Sequence, residues 1–254
     1  MKICKLCKIH GADQTNSHIF PKFMGHSMLI THDNKRKGFK IDSESADKIQ
    51  KPFQDTPKED NILCTSCEKY LAAKEREFAN SFYKKFKDPE FYQEFSSFVT
   101  NGGIKYKCCS NVDYCNFKLV IYSMLFRASI SSLPYFSDTK LNNVQIEKLR
   151  QIIRREIAFE DISIIAITSE SDNKSTNNYI YSASISPSLN YLWVNDFIFF
   201  IAFDECDPFL IDLKELTIKD FTPVKIGIVE NETWNEWRKG LMMLKVQQIT
   251  SALL

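Results

Sequence analysis

Two short cysteine pairs, Cys4-Lys-Leu-Cys7 and Cys64-Thr-Ser-Cys67, constrain this chain more than any other feature. A CxxC sets two thiolates one tight turn apart, so both can reach a single tetrahedral ion, and two such knuckles complete a four-cysteine zinc site. The 56 residues between Cys7 and Cys64 exceed the spacing of a compact zinc ribbon, so further structure must fold into the gap. The first residues, MKICKLCKIHGAD, lack the apolar core of a signal peptide. A cytoplasmic location is therefore expected, and in that reducing compartment paired cysteines bind metal rather than form disulfides. Cys108, Cys109, Cys115 and Cys206 have no paired spacing and read as buried thiols.

Composition removes several alternatives. Glycine is scarce, at 7 of 254 residues, and no GxGxxG or GxxxxGK[ST] is present, which argues against dinucleotide oxidoreductases and phosphate-loop enzymes. The longest apolar runs, 117–130 and 197–203, are too short for a membrane span or broken by Lys118 and Arg127. At 44% apolar and 26% charged, the chain has the ordinary balance of a folded protein.

The pattern changes along the chain. Residues 33–60 are polar and read as a long loop or insertion. From Glu68 to Phe98, aromatic residues recur at mostly helical spacing, with a break near Asp88-Pro89. Asn101-Gly102-Gly103 reads as a turn. Asn116–Ser131 predicts a largely buried helix with one polar stripe (Lys118, Tyr122, Ser123, Arg127), and a buried Arg127 requires a carboxylate partner from a neighbouring helix. Leu141–Ile157 predicts an amphipathic helix. Strands are expected at Ile162–Thr168, Tyr179–Ser186, Leu192–Phe203 and Val224–Val229. A last helix, Thr233–Leu254, carries Trp234, Trp237, Leu241 and Leu244 on one face, suited to packing on that sheet. The expected fold class is α+β: an N-terminal zinc-bound module, then helices, a mostly antiparallel sheet and a C-terminal helix. Two domains are expected, 1–100 and 101–254.

All four histidines, His10, His18, His26 and His32, lie in the first 32 residues. The first cysteine pair is followed by Ser17-His18-Ile19-Phe20-Pro21, and the second sits in Asp60-Asn61-Ile62-Leu63-Cys64-Thr65-Ser66-Cys67-Glu68. In this order and context, residues 1–80 resemble the HNH (ββα-metal) nucleases built on a treble-clef zinc scaffold. The resemblance implies that Cys4, Cys7, Cys64 and Cys67 hold a structural zinc, that His18 is the general base activating water, and that Asn61 orients it. It further implies a catalytic Mg²⁺ or Mn²⁺ near Glu68. Ser17 stands where the family has a carboxylate, and Glu68 where it has a histidine. Oxygen ligands suit hard cations, so Glu68 can still serve such an ion, with Glu75 and Glu77 further along the helix.

The chemistry can be stated independently of the family. Phosphodiester hydrolysis needs a base to deprotonate water and a cation to offset charge on the leaving oxygen. An imidazole suits the first role, and a zinc-pinned turn supplies preorganisation. The expected function is metal-dependent endonuclease cleavage of nucleic acid, DNA before RNA, without membrane association and with a homodimer or an activating partner protein as further partners. Compact HNH proteins with an unfamiliar C-terminal region often serve as bacterial antiviral defence effectors or toxins, which the resemblance extends to this chain. The alternative is a non-catalytic zinc-binding adaptor that recognises nucleic acid or a partner protein. The net charge of +1 does not oppose nucleic acid, because it is a cancellation. Residues 1–110 hold 19 Lys and Arg against 14 Asp and Glu; the remainder holds 14 against 18. Lys22, Lys35, Arg36, Lys37 and Lys40 form a basic run suited to phosphates.

Overall fold

The computed structural model describes residues 2–25, 30–32, 35–37, 55–86, 88–157, 162–170, 180–204, 207–219, 222–237 and 239–241. The first knuckle turns because Lys8 adopts a left-handed backbone (φ +57°), which lets its N–H reach the Cys4 carbonyl at 2.9 Å. The knuckle closes with an Ile3–Gly11 bridge and the Cys4 N–H donating to the His10 carbonyl at 2.8 Å. The chain then forms β1 (Ser17–His18), the single-turn α1 (Lys22–Gly25) and a short hairpin of β2 (Ile30–His32) and β3 (Lys35–Lys37), of which β3 falls within the expected loop. Returning, β4 (Lys58–Glu59) pairs antiparallel with β1, His18 opposite Lys58.

Helix α2 (Thr65–Phe78) begins directly on the second cysteine pair. Its N-cap residue, Cys64, makes no side-chain cap bond; Asp13 from the first knuckle supplies one instead, its Oδ1 accepting from the Thr65 N–H at 2.7 Å. The helix widens into a π-helical turn at Ala79–Tyr83, and a 3₁₀ turn follows at Pro89–Glu94. The expected helical run therefore ends early, because Phe95–Val99 is strand β5, paired with β6 (Lys105–Cys109) across the Asn101-Gly102-Gly103 turn.

Helix α3 (Tyr114–Ile130) is buried on nearly every side, including Lys118 and Arg127. It packs between α2 and α4 (Asn143–Ile153). The rest is mainly β7 (Ser163–Ser169), β8 (Ile180–Ser184), β9 (Leu189–Val194), β10 (Phe197–Ala202) and β11 (Val224–Val229). Seven strands form one sheet in the order β5-β6-β11-β7-β10-β9-β8, antiparallel except for the parallel β11–β7 pair. The single strand expected over Leu192–Phe203 is instead most of a hairpin, β9 and β10, turning at Asn195-Asp196 with Asn195 at φ +54°. Both strands are buried on both faces, so no alternation marks the turn.

One apolar cluster lies between α2, α3, α4 and one face of the sheet; Phe82, Phe117, Phe197 and Phe199 meet there. The four paired cysteines belong to the same cluster. The other face carries a second cluster that includes Ile167, Tyr191, Trp193 and Phe200. It is covered by helical residues 231–237 and 239–241, with Trp234 against Trp193 and Trp237 against Phe200. The C-terminal apolar stripe thus packs on its own sheet; Leu244 lies outside the described residues. The architecture is α+β.

Candidate metal centre and the adjacent histidine

The two knuckles converge. The sulfurs of Cys4, Cys7, Cys64 and Cys67 all lie within 4.8 Å of one another, each residue buried and each a free thiol. Cys7 Sγ and Cys64 Sγ are 3.8 Å apart, too long for a disulfide. A tetrahedral ion bound by sulfur at about 2.3 Å would set its ligands about 3.8 Å apart, so the spacing fits a metal site. The protonation chemistry fits as well. The Cys4 thiol is pulled down to about 4 by the hydrogen bond from Cys67, whose own thiol is pushed up. Burial pushes the Cys64 thiol up. A bound cation removes that conflict by letting all four ionise together. Among the described residues, this is the one group of three or more His, Cys, Asp or Glu side chains arranged to hold a metal ion.

The candidate catalytic residues lie beside this centre. Strand β1 places Ser17 fully buried, with its hydroxyl donating to Glu68 Oε2 at 2.5 Å. Since Glu68 sits in the first turn of α2, next to Cys67, the bond pins β1 across the helix N-terminus, where a carboxylate is favoured. His18, the next residue, keeps 23% of its side chain exposed. Its Nε2 lies 3.4 Å from Asp55 Oδ2, and Asp55 also pairs with Lys58 Nζ at 2.7 Å. Burial lowers the His18 pKa below the ordinary histidine value, more than the Asp55 carboxylate restores; Lys58 lowers it further and Glu68 raises it slightly. A largely neutral imidazole at neutral pH, with one edge open to solvent, can accept a proton from water.

Asn61 has a different place from His18. It is exposed, takes a left-handed backbone (φ +58°) and donates its N–H to the Gln14 carbonyl at 2.9 Å, forming the turn into the second knuckle. No hydrogen bond joins it to His18; the side chain at the imidazole is Asp55, which the sequence did not single out. Glu75, one of the two helper carboxylates expected on α2, instead pairs with Arg127 of α3, the buried partnership that Arg127 required. Glu77 pairs with Lys74 on the surface at 3.1 Å. His10 is exposed beside the knuckle and contributes its carbonyl, not its ring, to the turn.

Lys22 is exposed at the start of α1. The remaining expected phosphate contacts (the side chains of Lys35, Arg36 and Lys37, and all of Lys40) lie outside the described residues, as do His26, Cys206 and the side chain of His32. No helix of the described residues is long and apolar enough to cross a membrane. No protein-family model, curated protein or solved structure matches the chain.

Proposed function

We propose that the chain is a zinc-stabilised endonuclease of the HNH type that hydrolyses phosphodiester bonds of DNA, with RNA as the second candidate. The observation that carries the reading is the Ser17–Glu68 hydrogen bond. It sets the strand bearing His18 against the helix start bearing Glu68, on a four-cysteine centre whose dimensions suit zinc. In this reading zinc is structural and the module is a treble clef. His18 takes a proton from the attacking water, while Asn61 shapes the turn that brings Glu68 into place. Mg²⁺ or Mn²⁺ would be held through the Glu68 carboxylate and would offset charge on the leaving oxygen. The action is cytoplasmic, and defence against foreign nucleic acid is the role that suits a compact nuclease with this C-terminal part.

The test is to incubate supercoiled plasmid with purified protein and Mg²⁺ or Mn²⁺, beside His18→Ala. Cleavage by the parent chain and its loss by roughly 10²–10⁴-fold in the variant are expected, the usual contribution of a general base. Equal cleavage by both would remove His18 from the mechanism.

A second reading has its own support. Among the described residues, the carboxylates that act on His18 already have partners, Asp55 in Lys58 and Glu68 in Ser17, and Glu75 is taken by Arg127. That arrangement suits a zinc-binding adaptor that recognises nucleic acid or a protein without cutting. Titration with Mn²⁺ in a calorimeter separates the two. Binding that depends on Glu68 supports the nuclease; no binding, together with salt-sensitive DNA retention, supports the adaptor.

A further inference from the structure

Arg127 is among the largest side chains fully enclosed by this protein, 1% exposed in the last turn of α3. Enclosing a guanidinium is costly unless its donors are satisfied, and here they are directed three ways. Nε donates to the Ser123 carbonyl at 3.2 Å, one turn back on the same helix. The second terminal nitrogen pairs with Glu75 of α2 and reaches Ser123 Oγ at 3.3 Å. The first terminal nitrogen donates to the main-chain carbonyl of His18 at 2.6 Å, 109 residues away in sequence.

A buried ion pair alone would need only Glu75. The bond to His18 falls on β1, a strand of two residues secured on its other side by β4 and by the Ile19 N–H donating to Pro57 at 3.0 Å. Ser17 is pinned to Glu68 on one side of His18, and a carbonyl held by a rigid, charged donor fixes the peptide on the other.

We propose that Arg127 is the positioning residue for His18, setting the direction of the base from a helix outside the metal module. This deepens the nuclease reading and rests on it. Arg127 touches neither the imidazole nor the reacting atoms; it acts through the β1 backbone, with Glu75 and Ser123 holding its plane. Lysine cannot take its place, because one ammonium nitrogen cannot span three separated acceptors as the planar fork does.

Two variants test this. Arg127→Lys keeps the charge and loses the fork. Arg127→Met combined with Glu75→Leu replaces the whole pair by apolar side chains, an exchange that buried pairs often tolerate. Plasmid cleavage with Mn²⁺ is measured beside the NMR signals of the imidazole C–H groups in the zinc-loaded protein, His18 being assigned with His18→Ala. Both variants are expected to keep zinc and a cooperative unfolding transition, with KM unchanged and kcat lower by roughly a hundredfold, as for a small misplacement of a catalytic group. The His18 signal should move while those of His10, His26 and His32 stay. Folded, zinc-loaded variants with parental kcat or an unmoved His18 signal would overturn the proposal. Loss of zinc or of folding in both would overturn it too, by making Arg127 a folding residue. If the parent chain itself does not cut, the nuclease reading fails, and the His18 signal still decides whether Arg127 positions the imidazole.

Discussion

At the scale of single residues, His18 is governed by four neighbouring influences. Burial and Lys58 favour its neutral form, while Asp55 and Glu68 favour the charged one, and the net direction is downward. In the proposed mechanism His18 acts unprotonated, so cleavage should fall as pH drops through the His18 pKa, with a midpoint below the ordinary value of about 6.5. Asp55→Asn removes an influence that raises this pKa and leaves burial and Lys58 in place. The acid limb of log(kcat/KM) should therefore move to still lower pH, and a shift to higher pH would contradict this electrostatic account. The same neighbours show what the sequence could disclose. The paired cysteines stand in short motifs whose spacing suits a metal, whereas His18 and Glu68 were singled out only through the family resemblance. Arg127, as a cation within an apolar helix, announces that it needs a carboxylate, and Glu75 supplies it. Asp55 announces nothing: it lies in a polar stretch without periodicity, and only the β1–β4 pairing brings it to an imidazole 37 residues away.

At the scale of elements, α2 depends on the chain before it for its start. Its cap is Asp13, which bonds both the N–H and the hydroxyl of Thr65, so the first knuckle and the helix bearing the second are joined by a hydrogen bond as well as by their sulfurs. Asp13→Ala should weaken metal retention in a competition with a chromogenic chelator, and Asp13→Asn, which keeps the accepting oxygen, should retain most of it. In the sheet, Gly227 of β11 sits where a Cβ would lie 2.7 Å from Leu216 Cδ1 and 3.0 Å from Ile167 Cδ1. Gly227→Ala should cost about 1–3 kcal/mol by overpacking, read from denaturant midpoints. Helices α3 and α4 were legible because their polar stripes have a helical period. Strand β5 was not, because Phe91, Phe95 and Phe98 imitate that period. The β9–β10 turn was hidden because burial on both faces erases the alternation by which strands are recognised.

At the scale of the whole molecule, the charge division and the core lead in different directions. Charge separates a basic N-terminal portion from an acidic remainder, which would direct nucleic acid to the metal module. The core joins them: the four cysteines lie in the same apolar cluster as Phe117 of α3 and Phe199, Ile201 and Val224 of the sheet. Main-chain contacts add to this, with Arg150 of α4 donating to the Leu6 carbonyl at 3.2 Å and Tyr70 of α2 donating to the Ile153 carbonyl at 3.1 Å. The three tryptophans, Trp193, Trp234 and Trp237, all lie on the far face of the sheet, so their fluorescence reports on a region remote from the thiols. If the four cysteines hold zinc, its removal restores the conflict between the Cys4 and Cys67 thiols and withdraws binding energy from the knuckles. If the shared core couples the two regions, stripping zinc with a strong chelator should lower the thermal midpoint seen by tryptophan fluorescence together with that seen by thiol reactivity, as one transition. Restoring one zinc per chain should restore both. A tryptophan transition that stays in place while the thiols become reactive would instead show that the sheet folds independently of the metal module, and would favour division of the chain near residue 100.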